Sequence, residues 1–137
     1  MHRKILLQGL TIAMLSVVLG AFGAHAIKSI VTPDKVSLFE TGVRYQFMHS
    51  IALVLLSLFT YQNGALWAQH KGIKWTANFF LAGILCFSGS LYLLTFQSLS
   101  SFQYAKIVGP ITPIGGLFFM LGWASWVRIV WIHKVDK

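Results

Sequence analysis

The stretch ILLQGLTIAMLSVVLGAFGA, residues 5–24, runs for twenty residues without a charged side chain. A helix rises about 1.5 Å per residue, so this stretch is long enough to cross about 30 Å of hydrocarbon. Three further apolar runs of similar length follow it. Lipid offers no hydrogen bonds to an exposed backbone, so such runs cross it as helices. The sequence therefore predicts four membrane spans, at about residues 5–25, 43–62, 76–97 and 110–132.

The composition of the whole chain agrees with a membrane location. Of the 137 residues, 56% are hydrophobic and only 10% are charged. About 25% would be usual for a soluble domain, so a water-soluble enzyme is excluded. Disorder is excluded as well, because it requires low hydrophobicity. We predict an all-α membrane protein, a four-transmembrane-helix bundle that forms a single domain over residues 1–137.

The first run also has features of a secretory signal peptide. It starts with basic residues and ends in Ala24-His25-Ala26, a small-x-small pattern. Its apolar stretch is longer than the usual central region of about 7–15 residues. We therefore expect this segment to be retained as the first span.

The basic residues predict the orientation of the bundle. With four spans, the two termini and the middle loop share one side of the membrane. That side carries Arg3, Lys4, Lys71, Lys74, Arg128, Lys134 and Lys137, and the other side carries Lys28, Lys35, Arg44 and Lys106. The excess favours the cytoplasm for the first side. We expect a cell inner membrane protein with both termini cytoplasmic.

Aromatic residues support this orientation. The tryptophans lie toward the predicted cytoplasmic ends of the spans, where an interfacial belt is expected. They are Trp67, Trp75, Trp123, Trp126 and Trp131.

The net charge of +8 does not indicate nucleic-acid binding, because no basic, aromatic face lies outside the predicted spans. We expect the cationic ends to contact anionic membrane lipids, at about 1 kcal/mol per basic residue near the surface. Cys86 is the only cysteine, so an intrachain disulfide is excluded.

A helix start precedes the second span. Thr32-Pro33-Asp34 combines a capping residue, a proline suited to the first helical position and an acidic first turn. This pattern predicts an interfacial helical segment that continues into the second span, and Gly42 permits a bend at the membrane surface. Glu40 and Arg44 are four residues apart, in the favourable order for an ion pair.

Polar residues gather in the outer half of the predicted bundle. Thr41, Tyr45 and His49 form a stripe on the second span, and Ser88 and Tyr92 share a face of the third. Thr112 lies between Pro110 and Pro113 at the start of the fourth span. The candidate site is therefore an outer-half polar cluster of His25, Glu40, Thr41, Arg44, Tyr45, His49, Ser88, Tyr92 and Thr112. No catalytic residue is assigned.

Small residues recur at spacings of four, which lets membrane helices approach closely. The two stripes are Ser16, Gly20 and Ala24 in the first span, and Asn78, Ala82, Cys86 and Ser90 in the third. Packing within one chain explains them, and homo-oligomerisation is the alternative.

Four motifs resemble a known family. They are GAFGAHA (20–26), FETGVRYQFMH (39–49), FSGSLY (87–92) and ITPIGG (111–116). In this order they are similar to the small membrane proteins catalogued as domain of unknown function 423, with eukaryotic relatives named transmembrane protein 256. The likeness covers nearly the whole chain and implies a four-helix protein of the inner membrane. It implies no catalytic residues, because the family has no established activity.

Three classes of function fit the sequence. The preferred one is a non-enzymatic bundle whose polar cluster binds a lipid or a membrane-protein partner. The alternative is an oligomeric small-solute channel or transporter, because prolines and glycines at the outer mouth can expose backbone carbonyls. Proton-coupled export is disfavoured, because no Asp or Glu lies inside a span.

The third class is a membrane enzyme that uses His25, Glu40, Tyr45 and His49 for acid–base chemistry. It requires His25, Glu40 and His49 to converge on one cavity. The same three residues are of types that bind zinc or iron, but their spacing matches no known ligand signature. We therefore predict neither a metal nor another cofactor.

Overall fold

The computed structural model of the chain describes residues 2–62, 70–99 and 105–132. It contains four long helices, α1 (Arg3–His25), α2 (Pro33–Gln62), α3 (Lys71–Thr95) and α4 (Ile111–Ile132). Short helical segments at Ile27–Ser29, Phe96–Leu99 and Ala105–Val108 connect them. All four long helices are apolar enough to cross a membrane. The predicted all-helical membrane bundle is confirmed, while retention of the first span stays a prediction.

Helix α2 begins where the sequence predicts. Pro33 is its first residue, Asp34 lies in its first turn, and the carbonyl of Thr32 accepts hydrogen bonds from the backbone of the first turn. The helix then continues through Gly42 to Gln62 without interruption. Its 30 residues correspond to about 45 Å. The segment predicted to be interfacial is therefore the first part of the same helix as the second span.

Gly42 permits close packing of α2 against α3. A methyl group at this position would lie 2.8 Å from Cε1 of Tyr92, a distance that real side chains do not tolerate. The glycine thus lets the Tyr92 ring rest on the α2 backbone.

Helices α2 and α3 form the centre of the bundle. Helix α1 packs mainly against α2, and α4 packs mainly against α3. Less than a quarter of the most apolar segment of each outer helix is buried, compared with about two fifths in α2 and α3. The fully buried residues at the centre include Leu53, Leu56, Ile73 and Phe80. The outer helices therefore present most of their apolar side chains to lipid.

Helices α3 and α4 approach closely because each packs a phenylalanine ring against a glycine of the other helix. Phe80 of α3 lies over Gly122, where a methyl group would come within 2.6 Å of the ring. Phe119 of α4 lies over Gly83 in the same way. The interface between these two helices therefore depends on small residues, as is usual in membranes.

A π-helical turn at Ile84–Ser88 interrupts α3. Residues spaced four apart on an α-helix point about 40° further round the helix at each step. The π-helical turn changes the direction of the residues that follow it once more. Asn78 is exposed, whereas Ser90 is buried. The predicted stripe from Asn78 to Ser90 is therefore wrong as a single packing face.

Two residues of the predicted stripe on α1 do pack against the bundle. Ser16 is buried. Gly20 faces Val43 of α2, and a Cβ atom added at Gly20 would lie 3.6 Å from Cγ1 of Val43. The side chain of Ala24 lies outside the described part of the structure. Packing within the chain is thus confirmed for Ser16 and Gly20.

Candidate functional site: a groove between helices α2 and α4

His49 connects α2 to α4 from a position near the middle of α2. Only 5% of the residue is exposed. Its Nδ1 lies 2.8 Å from the carbonyl oxygen of Tyr45, and its Nε2 lies 3.3 Å from the indole Nε1 of Trp123. An indole N–H only donates, so Nε2 accepts and Nδ1 donates. Both nitrogens of a neutral imidazole are therefore occupied.

The imidazole also lies within a group of aromatic rings. It stacks on Phe119 with 3.5 Å between centroids, and Phe80 lies 5.5 Å away. The Tyr45 ring lies 4.6 Å from the ring of Phe87. We call this group the His49 cluster, which consists of Tyr45, His49, Phe80, Phe87, Phe119 and Trp123. Its packing fixes the orientation of His49 from several sides.

The members of the His49 cluster other than Phe80 form the floor of an open groove with a volume of about 740 Å³. We call it the lateral groove. It is lined by Tyr45, Phe47, Met48, His49, Ile51, Ala52, Leu55, Phe87, Gly116, Phe119, Met120 and Trp123. Met48 is 56% exposed on one side of the groove and Met120 is 61% exposed on the other. The groove is therefore apolar and opens sideways, toward the position of the lipid.

Tyr92 contributes to a polar connection elsewhere in the bundle. Its hydroxyl donates to Oε1 of Gln46 at 2.9 Å, and Nε2 of Gln46 lies 3.5 Å from the Ile12 carbonyl. This arrangement joins α1, α2 and α3. Gln46 is not among the predicted site residues, although its spacing from Gly42 and His49 marks one helical face.

Ser88 belongs to α3, and Thr112 lies in the first turn of α4, where it contacts α3. The Thr112 hydroxyl forms a 2.7 Å hydrogen bond with that of Ser90. The Ser88 hydroxyl is fully buried and has no hydrogen-bond partner among residues 2–62, 70–99 and 105–132. The Thr41 hydroxyl donates to the carbonyl of Ser37 in its own helix.

The nine predicted residues do not form one cluster. Glu40 and His49 are nine residues apart, which places them about 180° apart around α2. Arg44 and Glu40 are exposed on the side of α2 that faces α1, and His25 is exposed at the end of α1. His25, Glu40 and His49 therefore do not converge, and the acid–base or metal site that needed them is not formed.

The ion pair predicted at Glu40 also differs. Within the described residues, Oε1 of Glu40 lies 3.8 Å from Nζ of Lys28, and Arg44 is not within pairing distance. Lys28 lies in the short segment after α1. The acidic group thus links the α1–α2 connection to α2.

Trp123 departs from the predicted interfacial belt, because its N–H bonds to His49 near the middle of α2. Trp75 and Trp131 are exposed near the expected ends of their helices. Trp67, Lys134 and Lys137 lie outside the described residues.

The fold and the groove define a small helical membrane protein with four spans and a lipid-facing cleft. The chain belongs to the family described as protein of unknown function DUF423, whose model matches residues 19–116. This confirms the resemblance found in the sequence.

Similar proteins come from several bacteria. A UPF0382 membrane protein of Haemophilus influenzae is 37% identical over 109 residues, covering 80% of this chain and 78% of the relative. YwdK of Bacillus subtilis, also a UPF0382 membrane protein, is 35% identical over 119 residues, 86% of this chain and 85% of the relative. The UPF0382 inner membrane protein YgdD of Escherichia coli is 32% identical over 108 residues, 79% and 74% of the two chains. No solved structure matches. The cytoplasmic location of both termini stays a prediction.

Proposed function

We propose that this protein is a non-enzymatic, lipid-binding membrane protein whose lateral groove holds one acyl chain of a membrane phospholipid. The observation that carries the proposal is the groove, with its volume of about 740 Å³ and its apolar lining. Binding sites for small molecules typically measure about 300–1,000 Å³ and combine an apolar lining with few polar groups.

The position of the groove favours a hydrocarbon occupant. The exposed side chains at its edges, such as Met48 and Met120, lie on helices that span the bilayer. Water is absent at that depth, and an unfilled groove would forfeit the dispersion contacts of its lining. An acyl chain from the bilayer restores those contacts.

The floor of the groove favours binding because it is already ordered. Both nitrogens of His49 are hydrogen-bonded, and Phe119 covers one face of its ring. A ligand that enters an ordered site does not have to immobilise side chains, which improves its affinity. Tyr45 is 38% exposed, and its hydroxyl, which forms no hydrogen bond with another described residue, is available to a polar group of the ligand.

The channel alternative receives less support from the contacts inside the bundle. The hydroxyls of Ser50 and Thr60 donate to carbonyls of their own helix. Between them lie the fully buried side chains of Leu53 and Leu56. A polar route through a single copy would have to displace this apolar core.

The test uses a substitution that fills the groove. Gly116 lines it, and a Cβ there would meet only Cδ2 of Phe87, at an ordinary 4.0 Å. Gly116→Leu therefore occupies the groove without disturbing the helix interface. Gly89→Leu is the matched control, because nothing lies within 4 Å of a Cβ at Gly89.

Native mass spectrometry of the detergent-purified protein measures the phospholipid retained per chain. We expect wild type and Gly89→Leu to retain one more lipid per chain than Gly116→Leu, in which occupancy of the lateral groove should fall about tenfold, equivalent to about 1.4 kcal/mol. Equal retention by all three proteins, or no retention by wild type, would contradict the proposal.

A further inference from the structure

Two further cavities lie beside α2, at the end of the bundle where residues 26–32 join α1 to α2. An apolar furrow of about 310 Å³ runs between α1 and α2, lined by residues that include Gly20, Gly23 and Val43. A pocket of about 370 Å³ with a more polar lining adjoins it and includes Lys28 and Ser37. Glu40 lines both cavities.

We propose that this furrow and pocket bind one phospholipid whose headgroup carries a phosphate and a primary ammonium, namely phosphatidylethanolamine. An acyl chain lies in the furrow and the headgroup lies in the pocket. This inference does not rest on the lateral groove, which is a separate cavity although Phe47 lines both.

The charges around the pocket match such a headgroup. Glu40 lies 3.8 Å from Lys28, and the two side chains are 50% and 55% exposed. An exposed pair of this length contributes little stability, so a ligand can separate it. Arg44 lines the furrow one turn further along α2 and has no ion-pair partner within the described residues.

Each charged group then has a counterpart in the lipid. The Glu40 carboxylate accepts hydrogen bonds from the ammonium, while Lys28 and Arg44 bind the phosphate. Arginine suits this role because its guanidinium can donate two parallel hydrogen bonds to phosphate oxygens. Phosphatidylcholine has no N–H to donate to Glu40, and phosphatidylglycerol has no cation to offset it. The site therefore selects by headgroup.

The depth of the site is also appropriate. Helix α2, at about 45 Å, exceeds the hydrocarbon thickness of about 30 Å. Glu40 lies seven residues after Pro33, or about 10 Å along the helix. This places Glu40 and Arg44 near the boundary between headgroups and acyl chains.

A second copy of the chain is a less suitable occupant. Its helix would cover Glu40 and Arg44 and would bury their charges in an apolar environment, which is costly. A phospholipid leaves both charges at the level of the headgroups.

The experiment measures headgroup selectivity. The full-length protein is incubated with equal amounts of phosphatidylethanolamine, phosphatidylglycerol and phosphatidylcholine that carry identical acyl chains, and native mass spectrometry counts each bound lipid. We expect wild type to prefer phosphatidylethanolamine. Glu40→Gln should reduce that preference about fivefold, the effect of about 1 kcal/mol, while phosphatidylglycerol remains bound.

Two variants serve as controls for charge and for the lateral groove. Asp34→Asn makes the same charge change on an exposed residue of the same helix and should retain the preference. Gly116→Leu fills the lateral groove and should retain it too, which separates this proposal from the preceding one.

Gly20→Leu tests the furrow itself. A Cβ at Gly20 meets only Val43, at 3.6 Å, so the variant fills the furrow without a backbone clash. We expect Gly20→Leu to bind less phosphatidylethanolamine than Gly116→Leu does. The proposal is overturned if wild type shows no headgroup preference, if Glu40→Gln behaves as Asp34→Asn does, or if Gly20→Leu converts a dimer into a monomer.

Discussion

The imidazole ring of His49 lies flat on the phenyl ring of Phe119, with 3.5 Å between the ring centroids and 11° between the planes. The same phenyl ring rests on Gly83 of α3. Phe119 thus links the two central helices to α4. The indole N–H of Trp123 donates a hydrogen bond to Nε2 of His49. Together these contacts form the floor of the lateral groove.

The hydrogen bond between Trp123 and His49 is expected to stabilise the bundle modestly. In a double-mutant cycle of His49→Phe and Trp123→Phe, we expect a coupling of about 0.6 kcal/mol, the average for interhelical hydrogen bonds in membranes. The cycle cancels the separate loss of the bond from His49 to the Tyr45 carbonyl. The measurement is the free energy of unfolding in mixed detergent micelles. Strictly additive effects would show that the two side chains do not interact.

Two adjacent glycines should respond differently to the same substitution. A Cβ at Gly115 would overlap the backbone of Phe87, whereas one at Gly116 has room. We expect Gly115→Ala to destabilise the protein by about 1–3 kcal/mol, as overpacking usually does. Gly116→Ala should be neutral or stabilising by up to about 1 kcal/mol, because alanine favours helix. Unfolding in mixed micelles gives both values, and equal stabilities would contradict the close α3–α4 approach.

Two serines that are two residues apart offer a second contrast. Ser90 shares a hydrogen bond with Thr112, while Ser88 is buried without one in the described part of the chain. Ser90→Ala should cost about 0.5–1.5 kcal/mol. Ser88→Ala should cost nothing or stabilise the fold, because it removes a desolvated hydroxyl. A larger loss of unfolding free energy at Ser88 than at Ser90 would show that Ser88 has a partner.

The spans were predictable because each depends on local composition alone. Length and hydropathy locate four helices, and Pro33 with its neighbours marks the start of α2 at the correct residue. The family motifs also follow directly from the printed sequence. These features require no knowledge of which helices meet.

The candidate site was less predictable because depth in the membrane does not determine direction around a helix. Glu40 and His49 lie in the same half of the bundle but on opposite sides of α2. The nine-residue spacing between them already contains this information. It places Tyr45 and His49 at the lateral groove, and Glu40 and Arg44 at the furrow.

Spacing did not show which residues meet across the helices. Periodicity marks Gln46 as part of a buried face, but it does not identify Tyr92 as its partner. The exchange of Phe80 and Phe119 against glycines of α3 and α4 depends on the pairing of these two helices. The π-helical turn in α3 also changes the direction of the residues that follow it.

The central claim, that the lateral groove holds an acyl chain, is tested most directly by an experimental structure of the protein in a lipid bilayer disc. We predict elongated non-protein density along the groove, between Met48 and Leu55 of α2 and Met120 of α4, that is lost in Gly116→Leu. A groove closed by direct contact between α2 and α4, or occupied by a helix of a second copy, would contradict the claim.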